Sequence, residues 1–137
     1  MAETKKNWDR YFIFKGKSLP YNRISYNNLA ERAVEVPIGF DFLAELKDKS
    51  RMVEIGNVLS NYENILSSFF SIDKRKVIDK YEIAPGVENT DLMDIPANEK
   101  YSAILCISTV EHVGQKLPEG ESNESGDKEG PLKAIVK

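Results

Sequence analysis

The chain is poor in the residues that build disulfide frameworks and metal clusters: it has one cysteine, Cys106, and one histidine, His112, in 137 residues. A single thiol excludes an internal disulfide framework and any cysteine-based zinc cluster. Charge of one sign is also lacking. Nineteen Lys and Arg against 22 Asp and Glu leave a formal net charge of −3, which argues against the basic face of a nucleic-acid binder. Long hydrophobic runs are missing too. The longest, Ala103–Ile107, is far short of the ~20 residues that span a bilayer. Met1-Ala-Glu-Thr-Lys-Lys lacks the apolar centre of a secretory signal. The expectation is a soluble cytoplasmic protein with no membrane or nucleic-acid partner. What is present, 41% apolar residues including 9% aromatic, suffices for the core of one domain or part of one.

Composition divides the chain into three zones. Residues 1–50 carry aromatic clusters at Trp8–Phe14 and Tyr21–Tyr26. Asn28-Leu-Ala-Glu31 has the spacing of a capping box, which predicts a short helix lined by Leu29, Ala30, Ala33 and Val36 and stopped before Pro37. Phe40, Leu43 and Leu46 suggest a second short helix. Residues 51–115 alternate strand-like and helix-like segments. Met52–Ile55 reads as a buried strand closed by Gly56, and Val58, Leu59, Tyr62, Ile65, Leu66, Phe69 and Phe70 follow at helical spacing. Lys76–Asp79 reads as a second strand, Gly86–Asn89 as a weak third, and Tyr101–Ser108 as a fourth buried on both faces. Strand, helix and strand in this order predict parallel pairing with right-handed crossovers. Residues 116–137 open with a Glu-, Ser- and Gly-rich stretch read as a flexible acidic loop. Pro131–Lys137 then reads as a helix or short strand.

Chemistry concentrates at the predicted strand ends. In Val53-Glu-Ile-Gly56 a strand ends in an acid, one residue and a glycine before a helix. Glycine there lets a ligand approach the backbone, and a helix N-terminus suits a phosphate or carboxylate. The alternative is a tight turn that only needs glycine. Gly56-Asn-Val-Leu-Ser-Asn61 lacks the later glycines of a dinucleotide fingerprint, which counts against a nicotinamide or flavin enzyme with a similar sheet. Asp79 ends the second strand, and an acid about 20 residues after such a glycine reaches ribose hydroxyls in a nucleotide-binding sheet; its alternative is an ordinary solvated acid. Asp91-Leu-Met-Asp-Ile-Pro96 forms a polar turn, and Thr109-Val-Glu-His-Val113 follows the fourth strand.

Taken in order, these segments resemble the class I S-adenosylmethionine-dependent methyltransferases over about Met52–Val113. That family has an acid-x-glycine first loop, an acid ending the second strand, an acid-x-x-acid-apolar-Pro turn, and a fourth strand leading into Leu-Glu-His-Val. The resemblance implies an α/β fold: a Rossmann-like open sheet, mostly parallel, with helices on both faces, C-terminally truncated relative to the seven-stranded family. It implies S-adenosylmethionine as cofactor, methyl transfer to a small-molecule or glycan-type acceptor, and roles for particular residues. Glu54 and Gly56 would shape the loop under the methionine half, with Asn57 close by. Asp79 would bind the ribose, with Lys80 beside the adenine. Asp91 would accept from the adenine amino group, and the Leu92 N–H would face a ring nitrogen. Ile107 and Ser108 would flank the methionine moiety, and Glu111 and His112 would lie over the methyl group as catalytic candidates.

His112 could act as a general base or orient the acceptor; the alternative is a helix-start residue at the surface. Cys106, inside an apolar strand, is expected to be a small buried hydrophobe. The aromatic N-terminal zone could close as a lid or pack as core. Nothing after Val113 offers the family's last three strands, so Ala103–Ile107 would become a sheet edge open to pairing with another chain. A truncated chain, a homodimer that completes the sheet, or an inactive shortened relative would each account for this. The competing reading of function is a non-catalytic α/β module acting through self-association or a protein partner.

Overall fold

The computed structural model describes residues 11–22, 31–107, 109, 113 and 129–136. These fall into two compact units, Met1–Lys47 and Asp48–Lys137.

In the first unit, β1 (Tyr11–Phe14) and β2 (Lys17–Pro20) form an antiparallel hairpin. Its two-residue turn needs positive φ at both positions, and Lys15 and Gly16 supply it at 49° and 74°. The Phe12 ring meets that of Tyr21 with centroids 5.1 Å apart. This strand pair replaces the undifferentiated aromatic cluster expected from the sequence. The two short helices expected next are one helix, α1 (Arg32–Glu45), running through Pro37. Proline has no N–H to offer the carbonyl four residues earlier. That carbonyl, on Ala33, accepts instead from the Asn22 N–H at 2.8 Å. Burial of Val36, Pro37, Gly39 and Leu43 helps offset the cost of the interior proline. Asn28, Leu29 and Ala30 of the expected capping box lie outside the described residues.

The second unit is built on β3 (Met52–Ile55), β4 (Lys76–Ile78), β5 (Val87–Glu88) and β6 (Ala103–Cys106), all parallel, in the order β5-β4-β3-β6. The chain therefore builds outward from β3 on one side, then returns to add β6 on the other. After β3 come a 3₁₀ turn (Leu59–Tyr62) and α2 (Glu63–Phe70), a split form of the single expected helix. Ser71 ends α2 in the left-handed conformation, its N–H returning to the Leu66 carbonyl. A second 3₁₀ turn (Leu92–Asp94) lies between β5 and β6, and α3 (Gly130–Val136) is helical where helix or strand was expected.

Period-two alternation sorts the sheet's side chains. Val53, Ile55 and Ile78 share one face and form a buried cluster with Ile95, flanked by Leu92 and Tyr101. Glu54 and Leu105 are paired on the opposite face. One expectation fails at β6: Ala103 and Leu105 are buried, but Ile104 is 57% exposed and Cys106 is exposed. Among the described residues β6 is the last strand of the order and is covered on one face only. Cys106 is thus not the buried hydrophobe that its apolar neighbours suggested. No helix among the described residues is long and apolar enough to cross a membrane.

Candidate functional site

Three parallel strands end close together in the second unit, and the sequence places a polar or glycine residue after each. Gly56 leaves β3 with φ of 84° and donates its N–H to the Ile78 carbonyl at 2.7 Å, extending the β3–β4 ladder by one bond. A β-carbon on Gly56 would lie 2.0 Å from Thr109 Oγ1. The close approach that this glycine permits is made, in this structure, by the chain itself. Thr109 Oγ1 donates to the Ile107 carbonyl at 3.0 Å, and Ile107 is buried.

Glu54 points to the other side of β3 and is 1% exposed. Its Oε2 accepts the N–H groups of Val58 at 3.1 Å and Leu59 at 2.9 Å, which lets the chain turn from strand into helix without orphan donors. Its Oε1 accepts from Arg75 Nε and Nη2 at 3.1 and 2.9 Å. Burial pushes the Glu54 carboxyl above its ordinary range, opposed by the Arg75 charge and the two N–H bonds. No residue pattern singled out Arg75. The available signal was Glu54 itself, because an acid inside a buried strand requires a cationic partner.

Asp79 follows β4. Its Oδ1 accepts from the Tyr81 and Glu82 N–H groups at 3.0 and 2.8 Å, closing a tight turn. Among the described residues no donor reaches its Oδ2. The turn is braced by Asn89, whose Nδ2 donates to the carbonyls of Asp79 at 3.0 Å and Glu82 at 2.7 Å. Asn57, from the loop after β3, donates to Glu82 Oε1 at 3.0 Å and accepts from Ser60 Oγ. The β3 and β4 loops are therefore hydrogen-bonded to each other. Asn57 does so without positive φ.

Lys80, expected beside the adenine, and Asp91, expected to accept from its amino group, are brought together as an ion pair at 2.9 Å. Asp91 also caps the 3₁₀ turn through the Met93 N–H at 2.9 Å. The Lys80 bond, then the Met93 N–H, holds the Asp91 carboxyl below the ordinary Asp range, and the same ion pair raises Lys80. The Leu92 N–H, first in its turn, has no acceptor among the described residues. Ser108, Glu111 and His112 lie outside the described residues. Among the described residues, Leu92 alone of the expected site residues lines a cleft of about 420 Å³ against the Val53, Ile55, Ile104 and Cys106 face. Among the described residues no group of three or more His, Cys, Asp or Glu could hold a metal ion.

Among the described residues, the arrangement offers a carboxylate with one uncommitted oxygen at Asp79, an N–H without an acceptor at Leu92, and remaining acceptor capacity on the Asp91 carboxylate. That set suits a ligand carrying neighbouring hydroxyls and a base edge. No family model, curated protein or solved structure matches the chain.

Proposed function

We propose that the carboxyl edge of this sheet binds S-adenosylmethionine and that the chain is a methyltransferase domain. One observation carries the reading. Gly56, Asp79 and Asp91 lie after β3, β4 and β5, three successive strands of one parallel sheet. Numbered within the sheet, the strand order is 3-2-1-4, the first half of a doubly wound Rossmann-like sheet, whose ligands sit at the carboxyl ends beside the reversal point.

Hydrogen-bonding groups at the ends of β4 and β5 support this reading, while Thr109 fills the space beside Gly56. Asp79 Oδ2 would take two ribose hydroxyls while Oδ1 keeps the turn rigid. Asp91 and the Leu92 N–H would face the adenine edge, with Lys80 holding the Asp91 carboxylate in place. The loop 56–58, fixed from beneath by Glu54, would support the methionine half, with Asn57 tying it to the Asp79 turn. When bound, the cofactor supplies an electrophilic methyl group on a sulfonium. The chain's own share is orientation and exclusion of water, with no obligatory covalent residue. Glu111 and His112 are the candidates for orienting or deprotonating a small-molecule or glycan-type acceptor. A cytoplasmic setting accords with the near-absence of cysteine. Titration with S-adenosylmethionine and S-adenosylhomocysteine tests the reading.

A second reading is favoured by a different observation, the open face of β6 with Ile104 and Cys106 exposed. A module that acts by self-association or by a protein partner, including a homodimer through this edge, would use that strand. A stable dimer that binds no adenosyl ligand favours it over the first.

A further inference from the structure

We infer that Arg75 is a positioning residue for the loop after β3, acting through Glu54. The Arg75 side chain is 5% exposed and commits all three of its nitrogens. Nε and Nη2 hold Glu54 Oε1 at 3.1 and 2.9 Å, and Nη1 holds Glu63 Oε1, in the first turn of α2, at 2.7 Å. Glu54 Oε2 in turn holds the Val58 and Leu59 N–H groups. One guanidinium thus fixes both ends of the segment 56–63, by way of the strand acid beneath its start and the helix acid at its finish.

The arrangement needs a guanidinium in particular. A neutral side chain at position 75 leaves Glu54 buried and unpaired, so that it takes up a proton or swings out. Either change loosens its hold on Val58 and Leu59. A lysine restores the charge, but its single ammonium cannot reproduce a planar fork that grips Glu54 and reaches Glu63 together. Because the segment presents Gly56 and Asn57, its conformation sets the support offered to the methionine half of the cofactor. Only this last step rests on the proposed function.

The test is amide hydrogen exchange on the full chain carrying Arg75→Lys, with calorimetric titration of S-adenosylhomocysteine in parallel. Loss of one charge-assisted hydrogen bond predicts exchange at Val58 and Leu59 faster by about tenfold, with affinity weakened by a similar factor. Amides of β3 and β4 keep their wild-type rates. Wild-type exchange at Val58 and Leu59, or an equal acceleration of every amide, overturns the inference. If the wild-type chain binds no S-adenosylhomocysteine, the cofactor reading fails and the exchange rates alone decide the role of Arg75. If Arg75→Lys does not fold, Arg75→Met combined with Glu54→Gln removes both charges. Selective exposure of the same two amides supports the inference there, and wild-type protection overturns it.

Discussion

Thr109 fills the space that a side chain at Gly56 would need: a β-carbon on Gly56 would come within 2.0 Å of Thr109 Oγ1 and 3.1 Å of its Cγ2. This contact joins the end of the central strand β3 to the segment that follows β6. Gly56→Ala then suffers twice, from a φ of 84° and from the threonine. The left-handed backbone costs roughly 1–2 kcal/mol and the overpacking about 1–3 kcal/mol. Thr109→Ala in the same chain removes Oγ1 and Cγ2 and recovers part of the second cost. Urea unfolding of the four chains in a double-mutant cycle checks this; additive losses contradict the contact.

The buried pair of Glu54 and Arg75 gives the second prediction. Arg75→Met leaves a carboxylate that is 1% exposed without its cation, and breaking such a pair costs about 3–5 kcal/mol. Adding Glu54→Gln restores much of the loss, since no buried charge then remains. Denaturation midpoints measure both effects, and a double variant no more stable than Arg75→Met contradicts the account.

The third concerns pH. Lys80 and the Met93 N–H hold Asp91 below the ordinary Asp value in the folded state. Its contribution to stability is therefore present above the unfolded-state pKa and is lost as pH falls through the folded one. Lys80 shifts upward, chiefly through Asp91, so its contribution is present below its unfolded pKa and is lost as pH rises through the folded one. Asp91→Asn flattens both limbs. Urea midpoints followed across the acid and alkaline limbs test this, and a variant with wild-type slopes contradicts the pairing.

The fourth tests the proline in α1. The Ala33 carbonyl, denied a donor at Pro37, accepts from Asn22. Asn22→Pro removes that donor, which accounts for about 1 kcal/mol of its cost, the rest coming from loss of the buried Asn22 side chain. In a Pro37→Ala background the cost shrinks, because the new N–H at position 37 supplies the bond. Equal costs in the two backgrounds contradict this pairing.

Most of the second unit was legible because its signals are local. The apolar runs at Met52–Ile55 and Ala103–Ile107, the glycine at 56 and the three- and four-residue spacing from Val58 to Phe70 announced β3, β6 and the helical segment. The first unit was less legible. Lys15–Gly16 turns tightly through left-handed angles, which Lys15 adopts without being a usual turn residue. Pro37 reads as a helix stop unless the Ala33 carbonyl it orphans is known to find Asn22, a pairing no local pattern reveals. The exposure of Ile104 and Cys106 depends on what packs across the sheet, and periodicity says nothing of that. At the site, the strand-end residues were readable from spacing, while Arg75 and Thr109 act through contacts distant in sequence.

The central claim is that Asp79 and Asp91 serve an adenosyl ligand, and isothermal calorimetry on the purified chain tests it most directly. The account predicts saturable binding of S-adenosylmethionine and S-adenosylhomocysteine that weakens by about tenfold or more in Asp79→Ala, as loss of hydrogen bonds to a charged group implies. Absence of binding by the folded wild-type chain, or binding unchanged in Asp79→Ala and Asp91→Ala, would contradict it.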